Sequence, residues 1–215
     1  MIIISLVDKE RWSRNERLIL DTLYSNSDLR KIVTYETVVA VEENGIYNCG
    51  KAFNKGFRQS CSDIIIYTTG DVVIEPLIII ASYAKLLDSG FPVFAFRVDQ
   101  DEKGSWVINN DALGDFIMVK REWVEQVGGW DERLINWGAL DYDFLIRVNN
   151  YLNPSFNLEQ DLGRCCLGLD IKHRVKHLYH SRRPDEWYRE QNKKNWAIIK
   201  EQGVWINKRQ KGEGV

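Results

Sequence analysis

Hydrophobic and polar positions along this chain repeat with two different periods. Met1–Val7 is an almost unbroken run of β-branched and apolar residues, the pattern of a strand buried on both faces. Arg14–Tyr24 follows with Leu18, Ile19, Leu20 and Leu23 at roughly helical spacing. Lys31–Val41 is rich in Val, Ile, Thr and Tyr and reads as a second strand. Lys51–Cys61 predicts a short helix. Asp63–Tyr67 predicts a third apolar strand, ended by a turn over Thr68, Thr69, Gly70 and Asp71. Pro76–Ser89 reads as a helix that begins on a favoured first-turn proline and stops at Gly90 and Pro92. Phe94–Val98, Trp106–Asn109 and Phe116–Val119 read as short strands. Arg121–Val127 predicts a helix closed by Gly128 and Gly129, which permit a sharp turn. Asp141–Tyr151 predicts another, with Phe144, Val148 and Tyr151 on one side. Pro184–Gln202 reads as a polar helix carrying Trp187, Tyr188 and Trp196.

Strands alternate with helices in the first half, which predicts a mainly parallel α/β sheet; the second half is mixed. No internal repeat, low-complexity segment or linker divides the chain. Ligands of open α/β sheets sit outside the carboxyl ends of the strands. Asp8, Tyr35, Glu36 and Thr69–Asp71 each follow a predicted strand, so they are expected near one another.

Composition narrows the class. The chain has 215 residues, 44% of them apolar and 28% charged, which excludes a disordered or collagenous protein and allows one domain with its own core. Of the four cysteines, Cys49 and Cys61 stand alone and Cys165 and Cys166 are adjacent, so no CxxC metal or redox pattern exists. Reduced thiols and a cytoplasmic location are the expectation. The longest apolar runs fall far short of the roughly 20 residues of a membrane span, and no basic segment marks a signal peptide.

Charge changes the picture more. Residues 171–215 hold 12 Lys/Arg and 5 Asp/Glu, a net of +7. Residues 1–170 hold 17 and 26, a net of −9, so the total of −2 conceals an acidic body and a basic end. All three histidines, His173, His177 and His180, fall in one eight-residue window of that basic end. On a helix they would share a face suited to a metal; on a strand or loop only one would reach a site. The asymmetry points to an anionic ligand or to a solvated basic surface.

Two further clusters could carry chemistry. An apolar strand delivers Asp71 at a Gly turn, where a hard cation finds an oxygen ligand, although Asp also favours turns for its own backbone hydrogen bonds. Asp141 and Asp143 sit at a predicted helix start, where acidic side chains cap helices, but also beside Trp137 and Gly138, an aromatic wall and a point of close approach. The stretch from Asn48 to Gly56 is small and polar, yet it is neither a Walker A loop nor GxGxxG.

Together these pieces form an ordered series. Gly50, Ala52, Asn54 and Gly56, then Asp63-Ile64-Ile65-Ile66-Tyr67 and Gly70-Asp71, resemble the donor-side run of GT-A nucleotide-sugar glycosyltransferases of the large family-2 type. Gly128-Gly129-Trp130-Asp131-Glu132, Trp137-Gly138, Asp141-Tyr142-Asp143 and Arg147 resemble the acceptor block of that fold, with a galactosyltransferase-like character. His177-Leu178-Tyr179-His180 resembles its histidine-rich end. The resemblance covers about residues 1–200 in the right order.

The resemblance implies a single GT-A (Rossmann-like) domain over 1–215: a nucleotide-sugar half over 1–100, an acceptor and catalytic half over 101–183, and a helix with a basic tail over 184–215. It implies a metal-dependent, inverting transfer of a sugar from a UDP- or GDP-linked donor to an acceptor hydroxyl. Asp71 matches the last Asp of DxD and, with His180, a ligand set for Mn²⁺ or Mg²⁺. Asp141 matches the carboxylate base. Ser5, Asp8, Tyr35, Glu36, Lys51, Asn54, Thr69, Gly70 and Arg182 fall on the donor side, with Lys176 and Arg183 as further cations. Trp137, Gly138 and Asp143 fall on the acceptor side. Two positions depart from the pattern: Thr69 replaces the first Asp of DxD, and Leu140 replaces the Glu of the usual Glu-Asp pair. The acceptor is a glycan or, because the basic end suits phosphates, a hydroxylated base in DNA. A non-catalytic nucleotide-sugar-binding module is the other alternative; retention of Asp71, Asp141 and His180 together speaks against it. Trp106, Trp130 and Trp137 could be sugar-stacking surfaces or core.

Overall fold

The computed structural model describes residues 2–6, 9–24, 37–41, 48–110, 115–168, 170–180 and 183–201. It is an α/β arrangement of two mixed sheets flanked by helices. The larger sheet contains β1 (Ile2–Leu6), β2 (Thr37–Val41), β3 (Ile64–Thr69), β5 (Val93–Phe94) and β8 (Phe116–Lys120), in the order β2-β1-β3-β8-β5. The smaller contains β4 (Val72–Val73), β6 (Arg97–Gln100), β7 (Trp106–Asn109) and β9 (Val175–His177), in the order β4-β9-β6-β7.

β1 lies in the middle of a parallel trio, with Ile2 opposite both Thr37 and Ile66. Ile2, Ile3 and Ile4 are fully buried, as an apolar run with no alternation requires when both faces are covered. The parallel expectation holds for β2, β1 and β3 only. β8 runs antiparallel to β3 and β5, and in the smaller sheet only β6 and β9 pair in parallel. A run of apolar residues reports burial but not the direction of its neighbour.

The helices are α1 (Lys9–Tyr24), α2 (Cys49–Gln59), α3 (Pro76–Ser89), α4 (Arg121–Gln126), α5 (Leu140–Leu152), α6 (Leu158–Cys165) and α7 (Asp185–Glu201). α2 is started by Asn48, whose side chain accepts from the Lys51 N–H at 2.8 Å. It lies hard against β1: a Cβ on Gly56 would sit 2.4 Å from Ile3 Cγ2. α3 begins on Pro76 and ends where Gly90 turns left-handed at φ 68° and donates to Leu86 O. No described helix is long and apolar enough to cross a membrane.

Several boundaries differ from the sequence expectation. α1 begins at Lys9, more than a turn before Arg14. The segment Phe94–Val98 is not one strand: Val93–Phe94 pairs with β8, and the chain then passes through Ala95 and Phe96 into the other sheet as β6. β4, β9 and α6 were not anticipated, being short or without a clear period. Of the second predicted strand, residues 31–36 lie outside the described residues.

The core joins both halves of the chain through aromatic rings. Trp130 stacks flat on Phe144 of α5 at 4.3 Å and meets Phe53 of α2 at 4.7 Å and Tyr67 of β3 at 5.3 Å. Trp130 is therefore a core residue, not a sugar-stacking surface. The close contact at Gly56 gives a direct test. Gly56→Ala forces a methyl into Ile3 and is expected to cost about 1–3 kcal/mol. A thermal melt should fall by roughly 2–4 °C per kcal/mol at this chain length.

Candidate active site

The chain leaves the large sheet at the end of β3, turns through Gly70 and Asp71, and enters the small sheet as β4. The strand register then decides the site. Val72 pairs with His177 and Val73 with Lys176, and the Leu178 N–H donates to the Asp71 carbonyl at 2.8 Å. On its other edge β9 pairs with β6, where His177 faces Asp99. His177 is thus held between a carboxylate at the start of β4 and one on β6.

The distances follow from this placement. His177 Nε2 lies 3.6 Å from Asp71 Oδ2, and His177 Nδ1 lies 3.0 Å from Asp99 Oδ1. His180, just past the strand, places Nε2 3.4 Å from Asp71 Oδ2. Thr69 donates its hydroxyl to Asp71 Oδ1 at 2.8 Å. Ligand atoms of Asp71, His177 and His180 lie within 4.8 Å of one another, so the three could together hold a metal ion.

Burial alone would raise the Asp71 carboxyl, but hydrogen bonding and charge from His177, then Thr69 and His180, hold it well below the usual carboxylate range. Burial would likewise disfavour a charged His177; the two carboxylates at its nitrogens prevail and push it up to about 9. Asp99 is opposed by desolvation and held low by His177, Asn109 and Arg97.

Arg97 anchors the group from below. Its guanidinium is 4% exposed, ion-pairs with Asp115 and lies 2.7 Å from Asp99 Oδ1. Asn109 of β7 donates to Asp99 Oδ2 at 2.7 Å. Asp115 stands at the entry to β8, and its carbonyl accepts from Thr68 of β3 at 2.8 Å. Arg97, Asp99 and Asp115 were not singled out from the sequence. The available signal was Arg97 and Asp99 two apart on a short strand, which puts both on one face.

Asp141 opens α5. Desolvation pushes its carboxyl up to about 6, against backbone N–H bonds that favour the anion; Asp115 raises it further and Arg97 opposes. Asp141 therefore lies in the field of Asp115 and Arg97, the pair that also borders Asp99 and His177. The loop before it is held in left-handed backbone, with Asn136 at φ 62°, Gly138 at 92° and Ala139 at 63°. A Cβ on Gly138 would meet Asn192 Oδ1 of α7 at 2.5 Å. Buried Asn195 of α7 donates to the carbonyls of Ile135, Trp137 and Gly138 at 3.0, 3.2 and 2.8 Å. Trp137 remains 40% exposed, with its ring edge-on to Tyr188 at 5.4 Å.

Other expected site residues fall elsewhere. Asn54 is engaged within the fold: its amide donates to Trp130 O and Glu132 Oε1 and accepts from the Trp130 N–H, each at 2.9 Å. Asp143 is likewise engaged internally. Its buried carboxylate pairs with Arg147 at 2.7 Å, and Arg147 also donates to Val127 O and Gly129 O. Lys176 pairs with Glu75 at 2.8 Å, and Arg183 lies over the Trp187 ring. Lys51 sits in the first turn of α2, half-buried. The Ser5 backbone pairs with Ala40 and Thr69. Asp8, Tyr35, Glu36 and Arg182 lie outside the described residues. His173 is in a 3₁₀ turn near Gly168, away from the other two histidines' shared partner.

Over most of its length the chain is structurally similar to GT-A glycosyltransferases, at low sequence identity. The catalytic domain of Drosophila beta1,4-galactosyltransferase 7 complexed with xylobiose matches with a TM-score of 0.54 and 16% identity, over 84% of this chain and 71% of that one. A mutant of the Drosophila enzyme complexed with manganese, UDP-Gal and xylobiose matches with a TM-score of 0.51 and 14% identity, over 89% and 74%. S. aureus TarS in complex with UDP-GlcNAc matches with a TM-score of 0.55 and 11% identity, over 85% of this chain and 59% of that one. No protein-family profile matches the chain, and no curated protein matches it by sequence.

The Asn54 geometry makes a specific prediction. Asn54→Ala leaves buried backbone groups of Trp130 without their partners and is expected to lower stability by about 1–3 kcal/mol. Urea unfolding measures this. Unchanged stability with weakened nucleotide binding would instead return Asn54 to the donor side.

Proposed function

We propose that this chain is a metal-dependent glycosyltransferase that moves a sugar from a nucleotide-diphosphate donor to an acceptor hydroxyl. The observation that carries this reading is the convergence of Asp71, His177 and His180 at the carboxyl end of β3. Ligands of open α/β sheets bind at such ends. The donor set fits a metal: one ionised carboxylate and two imidazoles, with Thr69 orienting the carboxylate. Two nitrogen ligands suit Mn²⁺ better than Mg²⁺, which prefers oxygen. His177 thereby compensates for the carboxylate that Thr69 does not supply. When bound, the metal neutralises charge that builds on the departing diphosphate.

Asp141 is the base in this reading. As the anion, it accepts the proton of the acceptor hydroxyl while the oxygen attacks the anomeric carbon and the bond to the diphosphate breaks. A single base and in-line displacement give inversion. The left-handed loop, locked by Asn195, presents Asp141 and Trp137 together. Trp137 and Tyr188 offer aromatic surface at the loop that precedes the base, suited to stacking on a sugar ring.

Donor turnover should therefore appear with Mn²⁺, fall strongly with Mg²⁺ alone, and vanish with a chelator; equal rates after metal removal would overturn the metal assignment. Asp141→Asn should abolish transfer while leaving nucleotide affinity, read by calorimetry, close to wild type. For the pH dependence, the base works ionised and its carboxyl titrates at about 6. The rate constant kcat/KM should then rise about tenfold per pH unit below that value and level off above it. A product that retains the donor's anomeric configuration would exclude this use of Asp141.

A further inference from the structure

His177 is engaged at both ring nitrogens. Nδ1 lies 3.0 Å from Asp99 Oδ1, while Nε2 is turned toward Asp71. An acceptor at Nδ1 keeps a proton on that nitrogen, so the proton at Nε2, facing Asp71, is the one given up when the ring coordinates an ion. Asp99 is itself fixed from two other sides. Arg97 Nε approaches Oδ1 at 2.7 Å, and Asn109 Nδ2 donates to Oδ2 at 2.7 Å. Arg97 is in turn tied to Asp115, so the carboxylate stands on a buried scaffold and not on a mobile side chain. The strand register enforces the arrangement, because His177 and Asp99 are direct partners on β9 and β6, with Asn109 two residues past Val107, the β7 partner of Asp99.

We infer that Asp99 is a positioning residue for the metal centre: it holds His177 in the tautomer and ring orientation that direct Nε2 to the ion shared with Asp71 and His180. The inference rests on the metal reading above and extends it to a residue outside the ligand set. Carboxylates that accept the second N–H of a ligating histidine orient the ring and raise its basicity, and their loss typically weakens metal binding by about 10–100-fold. Asp99→Asn keeps the shape but not the chemistry. Either amide orientation turns an NH₂ toward a donor, His177 Nδ1–H or the Asn109 amide, and the charge facing Arg97 is lost.

The test is Mn²⁺ affinity of the full chain, measured by electron paramagnetic resonance of free Mn²⁺ during titration, with circular dichroism melts to verify folding. Asp99→Asn should weaken Mn²⁺ binding about 10–100-fold. In a His177→Ala background, the same substitution should cause no further loss, because Asp99 then has no ring to orient. A merely structural role would give the same loss in both backgrounds and would overturn the inference, as would unchanged affinity in the single variant. Should Asp99→Asn not fold, Asn109→Ala loosens the carboxylate from its far side; a severalfold loss supports the inference and unchanged affinity overturns it. A wild-type chain that binds no Mn²⁺ removes the metal reading itself. A wild type that binds Mn²⁺ with Asp99→Asn unchanged removes only the role of Asp99.

Discussion

The structure depends on one buried cation. Arg97 sits almost out of reach of water among carboxylates that could not otherwise crowd together. Asp99 and Asp115 contact it, and Asp71 and Asp141 lie in its field. Like charges in a low-dielectric interior repel strongly, and a buried charge without a partner costs several kcal/mol. With Arg97 in place, and with the His177 imidazole between Asp71 and Asp99, the negative groups face a positive charge and hydrogen-bond donors. The ion pair also bridges the two sheets, since Arg97 and Asp99 belong to β6 and Asp115 leads into β8. The same contact that permits the charge cluster therefore fixes where the sheets meet.

The segment from Gly128 to Asp143 is held by aromatic packing, amides and one ion pair. Trp130 enters an aromatic group with Phe53, Tyr67 and Phe144, which come from α2, β3 and α5. Asn54 binds the backbone around that tryptophan, Asp143 and Arg147 clasp the preceding turn, and Asn195 of α7 fixes the following loop. Residues that look chemical in the motif, Asn54 and Asp143, are thus the fasteners of the acceptor block. Their work is to keep Trp137 and Asp141 in one position, and an unusual left-handed backbone at Asn136, Gly138 and Ala139 persists because α7 over-determines it.

Much of this was readable in the chain. The apolar run of β1 has to be a central strand, and α3 announces both ends with Pro76 and Gly90. The resemblance brought Asp71 and His180 together as an expected metal pair, and the structure places them 3.4 Å apart; Asp141 was legible as a carboxylate at a helix start. Arg97, Asp99 and Asp115 were not. They are separated from one another and from His177 by up to eighty residues, and the shared strand face of Arg97 and Asp99 does not by itself distinguish them from surface charges. His177 was visible only as one of three histidines, and its pairing partner decides which nitrogen is free.

The sequence by itself determined the longer strands and helices, the burial of their faces and the presence of an acidic body with a basic, histidine-bearing end, because periodicity and composition act locally. Only the tertiary structure decided which charges face each other. That depends on strand register: β9 is three residues long, and its pairing with β4 on one edge and β6 on the other sets His177 between Asp71 and Asp99. A shift of one residue would turn His177 to the other face of the sheet, since side chains alternate along a strand. The site is therefore a property of pairing, written in contacts between distant segments, and the motif residues acquire their roles only once those contacts are made.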